Sequence, residues 1–181
     1  MTRRQQWTAV AAVLVLAGAG TWVGVRHFQV PQVAVGSRAP DFQAVTLDSV
    51  PATRSLADYR GAVTLVNVWA TWCTPCEREL PALERLYTEY RGKGFRIAAV
   101  SVDEPGMEDG IREFIKRFGL TFDVLYDARR AIAATYMTTG YPETFVIARN
   151  GIIRYHRLGA IDRDTVALRA VIDTLLAERA N

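Results

Sequence analysis

The chain changes its apolar periodicity from one segment to the next. Residues 41–47 alternate apolar and polar positions, which predicts a strand with one buried face. Residues 62–70 are almost continuously apolar, which predicts a central strand covered on both faces. Leucines then recur at helical spacing over residues 74–91 and glycines follow, so a helix is predicted directly after that strand.

The same alternation continues toward the C-terminus. Further strands are predicted at residues 95–102, 122–127, 144–148 and 151–159, and helices at residues 55–61 (one short turn), 107–119, 128–136 and 162–179. The last two strands are predicted to form a hairpin about Arg149-Asn150-Gly151. Strands that alternate with helices and end in a hairpin are typical of an α/β fold with a mixed central sheet flanked by helices.

The first thirty residues have a different pattern. Nineteen uncharged residues, 7–25, lie between an arginine pair and Arg26. As a helix this segment would reach about 28 Å, close to the thickness of the membrane hydrocarbon. The arginine pair predicts an N-terminus in the cytoplasm, so residues 1–30 are predicted to be a single-pass inner-membrane anchor with the domain on the periplasmic side. The small residues 17–19 leave open a cleaved signal peptide and a soluble periplasmic protein.

Residues 31–37 are predicted to be a linker, and residues 38–181 a single domain. Three of the 22 basic residues lie in the first thirty positions, which leaves 19 basic and 19 acidic residues in the rest of the chain. A neutral domain without a basic stripe argues against nucleic acid as a partner. The excess of three basic residues therefore lies in the predicted membrane segment.

Both cysteines of the chain, Cys73 and Cys76, lie in one turn directly after the predicted central strand. A helix N-terminus stabilises a thiolate, and Pro75 suits the first turn of a helix. The spacing predicts that Cys73 is an exposed nucleophile and that Cys76, one turn further in, is a shielded resolving thiol. A purely structural disulfide is disfavoured, because so short a loop constrains the unfolded chain very little.

Metal binding is the alternative role for the two thiols. A tetrahedral zinc site lacks the further Cys or His ligands that it needs near the motif. A copper site built from Cys73, Cys76 and His156 stays open as an alternative. The leading interpretation has no metal and no cofactor beyond a redox-active Cys73–Cys76 disulfide.

Three separated motifs resemble a known family. "VNVWATWCTPC", Pro81 five residues after Cys76, and "TTGYPETF" before the hairpin resemble the thioredoxin fold. The N-terminal segment, an extra strand and helix before Pro142, and "PETFVIARNGIIRYHR" resemble the TlpA/ResA/CcmG (DsbE) group of membrane-anchored extracytoplasmic thioredoxins. The resemblance covers residues 36–180 and implies a thioredoxin fold with an N-terminal β extension and a central strand-helix insertion.

The resemblance also implies roles for individual residues. Tyr141-Pro142 would be a cis peptide bond that faces Cys73 and lines the groove for an extended substrate. Asn67 stands where ordinary thioredoxins bury an aspartate, and Glu79 becomes the candidate acid/base for Cys76, with a solvated helix glutamate as the alternative. Trp72 is predicted to be exposed beside the nucleophile, where it contacts either substrate or the domain itself.

The predicted function is that of a thiol:disulfide oxidoreductase that reduces disulfides in exported proteins, apocytochrome c among them. The resemblance implies re-reduction by a membrane electron donor of the DsbD/CcdA type. A peroxiredoxin-like peroxidase is a second hypothesis. The usual Pro-x-x-x-Thr/Ser-x-x-Cys context is missing before Cys73, with Val66 and Ala70 in the relevant places.

Overall fold

The computed structural model describes Arg3, residues 33–161 and residues 166–178. Apart from Arg3, the predicted anchor or signal segment lies outside the described residues. Within the part of the chain that is described, no helix is long and apolar enough to cross a membrane. Contacts divide the chain after Gln32, and the unit that begins at Val33 is described here by itself.

Within the described residues, seven strands form one mixed sheet, and helices connect the strands of its parallel part. The elements in chain order are β1 (Gln43–Thr46), β2 (Thr53–Ser55), a 3₁₀ turn (Leu56–Tyr59), β3 (Val63–Trp69), α1 (Thr74–Tyr90), a second 3₁₀ turn (Arg91–Lys93), β4 (Phe95–Ser101), α2 (Glu108–Phe118), β5 (Asp123–Tyr126), α3 (Ala131–Thr135), β6 (Glu143–Ile147), β7 (Ile153–Leu158) and α4 (Val166–Ala177). The strand order is β2-β1-β5-β4-β3-β6-β7. Strands β3, β4 and β5 are parallel and the others pair antiparallel, which confirms the predicted mixed sheet.

Strand β3 and helix α1 carry the centre of the domain. All seven residues of β3 are buried, because β4 and β6 pair with its two edges and its apolar side chains fill the core. Leu80, Leu83 and Leu86 of α1 are fully buried, as expected for the apolar face of an amphipathic helix. The predicted central strand and the helix that follows it are both confirmed.

Two elements differ from the sequence-based expectation. Strand β2 was not predicted, because its three residues are polar and too few to show an alternating pattern. Helix α3 is shorter than the predicted helix over residues 128–136. Its first turn is preceded by Arg130, whose φ of 56° is left-handed and therefore outside the α-helical range. The Asp127 carboxylate then accepts the backbone N–H of Ile132 at 2.7 Å and fixes the start of the helix.

Residues at the start of the described unit are attached to β7. The backbone N–H of Gly36 donates to the carbonyl of Ile153 at 2.8 Å, and the N–H of Ile153 donates to Ser37 at 2.9 Å. Arg38 forms an isolated antiparallel bridge with Ile152. The part of the predicted linker that the structure describes is thus hydrogen-bonded to the sheet.

Three connections meet at one edge of the sheet. Residues 70–73 follow β3, residues 102–107 follow β4, and residues 138–142 precede β6. The backbone N–H of Val102 donates to the carbonyl of Trp69 at 2.9 Å and joins the first two connections. Because β3 and β6 are antiparallel neighbours, the end of the first strand lies beside the beginning of the second. This edge is where the candidate site residues come together.

Candidate active site

The disulfide lies at the N-terminus of α1. Cys73 and Cys76 are joined by an S–S bond of 2.07 Å. Cys73 caps the helix, and its Sγ accepts a hydrogen bond of 3.2 Å from the backbone N–H of Cys76. The positive end of the helix dipole and the unpaired N–H groups of the first turn favour a thiolate at this position. The predicted place of the Cys73 sulfur is confirmed, as is that of Pro75 in the first turn.

The predicted exposure of Cys73 is wrong for the disulfide form. Cys73 is 5% exposed and Cys76 is 0% exposed, and both belong to the buried cluster. The reason is local. The sulfur of Cys73 is directed to the first turn of α1, where it is bonded to the Cys76 sulfur and accepts the Cys76 N–H. Of the two residues, only Cys73 keeps any surface that a substrate can reach.

An aromatic pair stands beside the disulfide. Trp72 is 59% exposed, which confirms its predicted exposure. Its ring meets that of Tyr141 edge to face, with centroids 5.7 Å apart and an angle of 74° between the planes. Large exposed aromatic surfaces of this kind favour binding of another chain.

The Tyr141-Pro142 peptide bond is cis, as the family resemblance implied. Pro142 directly precedes Glu143, the first residue of β6, and Glu143 pairs with Val68 near the end of β3. The carbonyl of Pro142 accepts the backbone N–H of Gly159 at 2.8 Å. Together with the Trp72–Tyr141 contact, this register brings the proline to the edge of the sheet that carries the dithiol.

Glu79 is a buried residue, so the alternative of a solvated helix glutamate is wrong. It is 0% exposed and lies on α1 three residues after Cys76. One carboxylate oxygen accepts Nδ2 of Asn67 at 2.7 Å, and the other accepts the backbone N–H of Ile161 at 3.1 Å. The position is suitable for proton exchange with Cys76, because the carboxyl is held in a dry site within one helical turn of it.

Asn67 links this carboxyl to the sheet. Its Nδ2 donates to Thr144 Oγ1 at 3.0 Å as well as to Glu79, and all three side chains are buried. Its Oδ1 has no hydrogen-bond partner within the described residues. Asparagine thus supplies the donor that orients the glutamate, a role that the aspartate of ordinary thioredoxins could fill only when protonated.

His156 of β7 is hydrogen-bonded to the carboxylate of Glu143 on the neighbouring strand β6. Its Nε2 lies 2.6 Å from Oε1 of Glu143, and its ring stacks on Phe145 with centroids 4.5 Å apart. The other oxygen of Glu143 accepts the backbone N–H of Thr139 at 3.3 Å. Within the described residues, no group of three or more His, Cys, Asp or Glu side chains could hold a metal ion. The copper site with His156 is therefore not favoured.

Sequence analysis missed one residue of the site, Asp103. This aspartate is fully buried in the connection after β4. Its carboxylate accepts the Thr71 hydroxyl at 2.7 Å, the Thr71 backbone N–H at 3.0 and 3.1 Å, and the Ser101 hydroxyl at 2.7 Å. The available signal was its position, because a carboxylate two residues after a buried parallel strand lies at the edge where β3 also ends.

Comparison with known proteins identifies the family. The model of the AhpC/TSA family matches residues 35–156. The thiol-disulfide oxidoreductase ResA of Geobacillus kaustophilus is 38% identical over 160 residues, which are 88% of this chain and 89% of that protein. The thioredoxin-like protein YneN of Bacillus subtilis is 31% identical over 171 residues, 93% of this chain and 99% of that protein.

A solved structure agrees with these relatives. The Chlorobium tepidum structure designated as a thiol:disulfide interchange protein DsbE superposes with a TM-score of 0.73 at 28% identity, over 80% of this chain and 99% of that one. The chain belongs to the ResA/CcmG-like branch of the AhpC/TSA family. As a ResA/CcmG-like protein with a Cys-x-x-Cys disulfide, it is a thiol:disulfide oxidoreductase of thioredoxin-like fold. The peroxidase hypothesis is not favoured, because these named relatives are disulfide-exchange proteins.

The two thiols should differ in reactivity once the disulfide is reduced. Iodoacetamide near neutral pH should alkylate Cys73 at least about tenfold faster than Cys76, because only Cys73 combines surface access with the helix N-terminus. Peptide mass spectrometry of timed samples measures both rates. In urea the two rates should converge, and equal labelling in the folded protein would reject the assignment of Cys73 as nucleophile.

Replacement of Glu79 by glutamine should change the pH dependence of disulfide exchange. Glutamine keeps the volume and one acceptor oxygen but exchanges no proton, so the rate should fall by about tenfold or more, as for loss of a general acid/base. Stopped-flow oxidation of the reduced protein over a pH series provides the profile.

Glu77 supplies the matched control for that experiment. It lies on the same helix but is partly exposed and ion-paired with Arg117 at 2.6 Å. Glu77→Gln should leave the profile unchanged. Superimposable profiles of Glu79→Gln and the parent protein would show that the buried glutamate has a structural role only.

Proposed function

We propose that this thiol:disulfide oxidoreductase works as a reductant of disulfides in exported proteins. The observation that carries the proposal is the Cys73 sulfur at the start of α1, with Trp72 and the cis Tyr141-Pro142 bond at the same edge of the sheet. This arrangement supports a reactive thiolate beside a surface on which a polypeptide can lie. No cofactor beyond the Cys73–Cys76 dithiol is required.

The reaction transfers two electrons in two exchanges. The Cys73 thiolate attacks one sulfur of the substrate disulfide, which forms a mixed disulfide and releases the other substrate sulfur as a thiolate. The Cys76 thiolate then attacks the Cys73 sulfur, so the second substrate sulfur leaves and the Cys73–Cys76 disulfide forms. The substrate disulfide is reduced to two thiols, and the enzyme dithiol is oxidised.

Glu79 is the proposed base of the second exchange. Cys76 is fully buried and must lose its proton before it can attack. A buried carboxylate within one helical turn can take that proton, and it can return the proton when the disulfide is opened again. The hydrogen bonds from Asn67 and the Ile161 N–H hold the carboxylate in place for this transfer.

The proposed substrate is an extended, cysteine-containing segment. A segment that pairs with the backbone beside Pro142 must be free of its own secondary structure, because main-chain pairing needs an unoccupied strand. The aromatic rings of Trp72 and Tyr141 offer apolar surface for its side chains. Apocytochrome c, whose Cys-x-x-Cys-His segment is unfolded before haem attachment, has this character.

The proposed site of action is the outer side of the inner membrane. Residues 1–30 supply a segment of suitable length and charge, either as a retained anchor or as a cleaved signal. Outside the cytoplasm disulfides form readily, so a reductant needs a continuing source of electrons. A membrane protein of the DsbD/CcdA type is the proposed donor.

Trapping the mixed disulfide tests the substrate. The Cys76→Ser variant cannot complete the second exchange, so in membranes that make c-type haem proteins it should accumulate a complex that joins Cys73 to apocytochrome c. Cys73→Ser is the control and should trap nothing. Non-reducing gels followed by mass spectrometry identify the partner.

Two outcomes separate the parts of the proposal. Recovery of other exported proteins instead, with holocytochrome levels unchanged in a deletion strain, would leave a general reductase and remove haem-protein maturation. Failure of the variant to trap any disulfide-containing protein would contradict the reducing direction itself.

A further inference from the structure

We propose that Asp103 is a positioning residue for the dithiol. By holding Thr71, it keeps the turn that carries Trp72 and Cys73 in one conformation after the disulfide has been opened. The proposal concerns the dithiol itself and applies whichever direction the enzyme works in.

The contacts form a clamp around Thr71. Both the backbone N–H and the hydroxyl of Thr71 donate to the Asp103 carboxylate, over distances from 2.7 to 3.1 Å. Thr71 lies two residues before Cys73, and the carboxylate lies 32 positions further along the chain. One hydrogen bond from the backbone and another from the side chain of Thr71 fix both the position of its backbone and the rotamer of its side chain. The carboxylate is fully buried, so water does not compete for these donors.

The clamp has a rigid base. Ser101, the last residue of β4, donates its hydroxyl to the Asp103 carboxylate at 2.7 Å and accepts the Asp103 backbone N–H at 3.2 Å. Ser101 pairs with Trp69 on one side and Tyr126 on the other, in the middle of the sheet. Movement of the carboxylate would therefore disturb the central strands.

The connection that carries Asp103 is also held from the side. Arg130 donates from Nε to the carbonyl of Val102 at 3.0 Å and pairs with Glu104 at 2.6 Å. Arg130 directly precedes α3 and has a left-handed backbone, with φ of 56°, so its side chain does not follow the direction of the helical side chains after it. The residues on both sides of Asp103 are thus fixed to another element.

The clamp matters more in the reduced protein. In the disulfide form the covalent bond to Cys76 holds Cys73 on α1, so the turn is fixed at that end whatever Thr71 does. Reduction removes this bond. After reduction, the Thr71 clamp and the hydrogen bond from the Cys73 N–H to the Ala70 carbonyl at 3.2 Å hold the turn before Cys73, while on the helix side the Glu77 N–H still donates to the Cys73 carbonyl at 3.1 Å.

A thermodynamic cycle turns this difference into a measurable quantity. If loss of the clamp destabilises the reduced form more than the disulfide form, the equilibrium between the two must shift toward the disulfide by the same amount. A carboxylate that only supports the fold destabilises both forms equally and leaves that equilibrium unchanged. The redox equilibrium constant therefore distinguishes positioning from simple structural support.

Asp127 offers a matched control. It is also a buried aspartate that follows a parallel strand, and its carboxylate also accepts a backbone N–H, that of Ile132 at 2.7 Å. Its bond fixes the start of α3 and not the turn before Cys73. Asp127→Ala should lower the stability of the reduced and disulfide forms alike.

The experiment compares Asp103→Ala, Asp127→Ala and the parent in the full-length protein. Each is equilibrated in dithiothreitol buffers of graded potential, acid-quenched and alkylated, and the unfolding of both redox forms is followed in urea. Asp103→Ala should shift the dithiol/disulfide equilibrium constant about tenfold toward the disulfide, which for two electrons is about 30 mV more negative. Asp127→Ala removes a hydrogen bond to Ile132 and none to the turn before Cys73, so it should leave the constant within about twofold of the parent.

Thr71→Val keeps the test valid if Asp103→Ala does not fold. Valine removes only the hydroxyl bond of the clamp, so a smaller shift in the same direction, about threefold, is expected because one hydrogen bond is lost. A constant unchanged in Thr71→Val and in Asp103→Ala, or in Thr71→Val alone where Asp103→Ala does not fold, would overturn the proposal. So would a shift of the same size in Asp127→Ala.

Discussion

The structure depends on one junction, where the fully buried strand β3 ends and α1 begins with Cys73 as its cap. A helix that starts here presents its unpaired N–H groups to a sulfur at the edge of the sheet. Burial of β3 on both faces fixes the direction of the strand, and the leucines of α1 fix the helix on the core. The position of the sulfur is therefore a consequence of the packing of the whole domain.

Buried polar residues form hydrogen bonds on α1 and in the turn before Cys73, on the two sides of this junction. On α1, three residues after Cys76, the Glu79 carboxylate is held by Asn67 and the backbone of Ile161. In the connection after β4, the buried Asp103 carboxylate holds Thr71, two residues before Cys73. Buried carboxylates are costly unless they are hydrogen-bonded, and both of these accept hydrogen bonds from neutral donors, Glu79 from Asn67 and Ile161 and Asp103 from Thr71 and Ser101. The chain thus has two buried acidic groups close in sequence or by hydrogen bonding to its disulfide turn, Glu79, the proposed base, and Asp103, the proposed positioning residue.

Much of this arrangement could be predicted from local patterns. The change in the spacing of apolar residues between 62–70 and 74–91 located β3 and α1, and the spacing of the two cysteines located the dithiol. The exposure of Cys73 could not be obtained in this way, because it depends on where the sulfur points once it is bonded to Cys76. The length of α3 was also missed, since a left-handed arginine leaves no mark on periodicity.

The partners of the buried carboxylates lie beyond the reach of local patterns. Glu79 accepts a hydrogen bond from the backbone N–H of Ile161, 82 positions away, and Asp103 accepts one from the N–H of Thr71, 32 positions away. The parallel pairing of β3 with β4 brings Asp103 near Thr71, and the antiparallel pairing of β3, β6 and β7 brings the chain at Ile161 back toward Glu79. These pairings are properties of the folded sheet. The acidic residues after β4 have the composition of an ordinary surface loop, so composition gave no reason to place one of them in the core.

The proposed reducing direction, in which the Cys73–Cys76 dithiol delivers electrons to substrates, is tested most directly by the standard reduction potential of the dithiol in the parent protein. Equilibration with glutathione and dithiothreitol buffers provides the value. We expect a potential more negative than about −200 mV, nearer to the thioredoxin value of about −270 mV than to the value of about −120 mV found for the strong oxidant DsbA. A potential close to that of DsbA would mean that the dithiol takes electrons from its substrates, and would contradict the proposed reductant role.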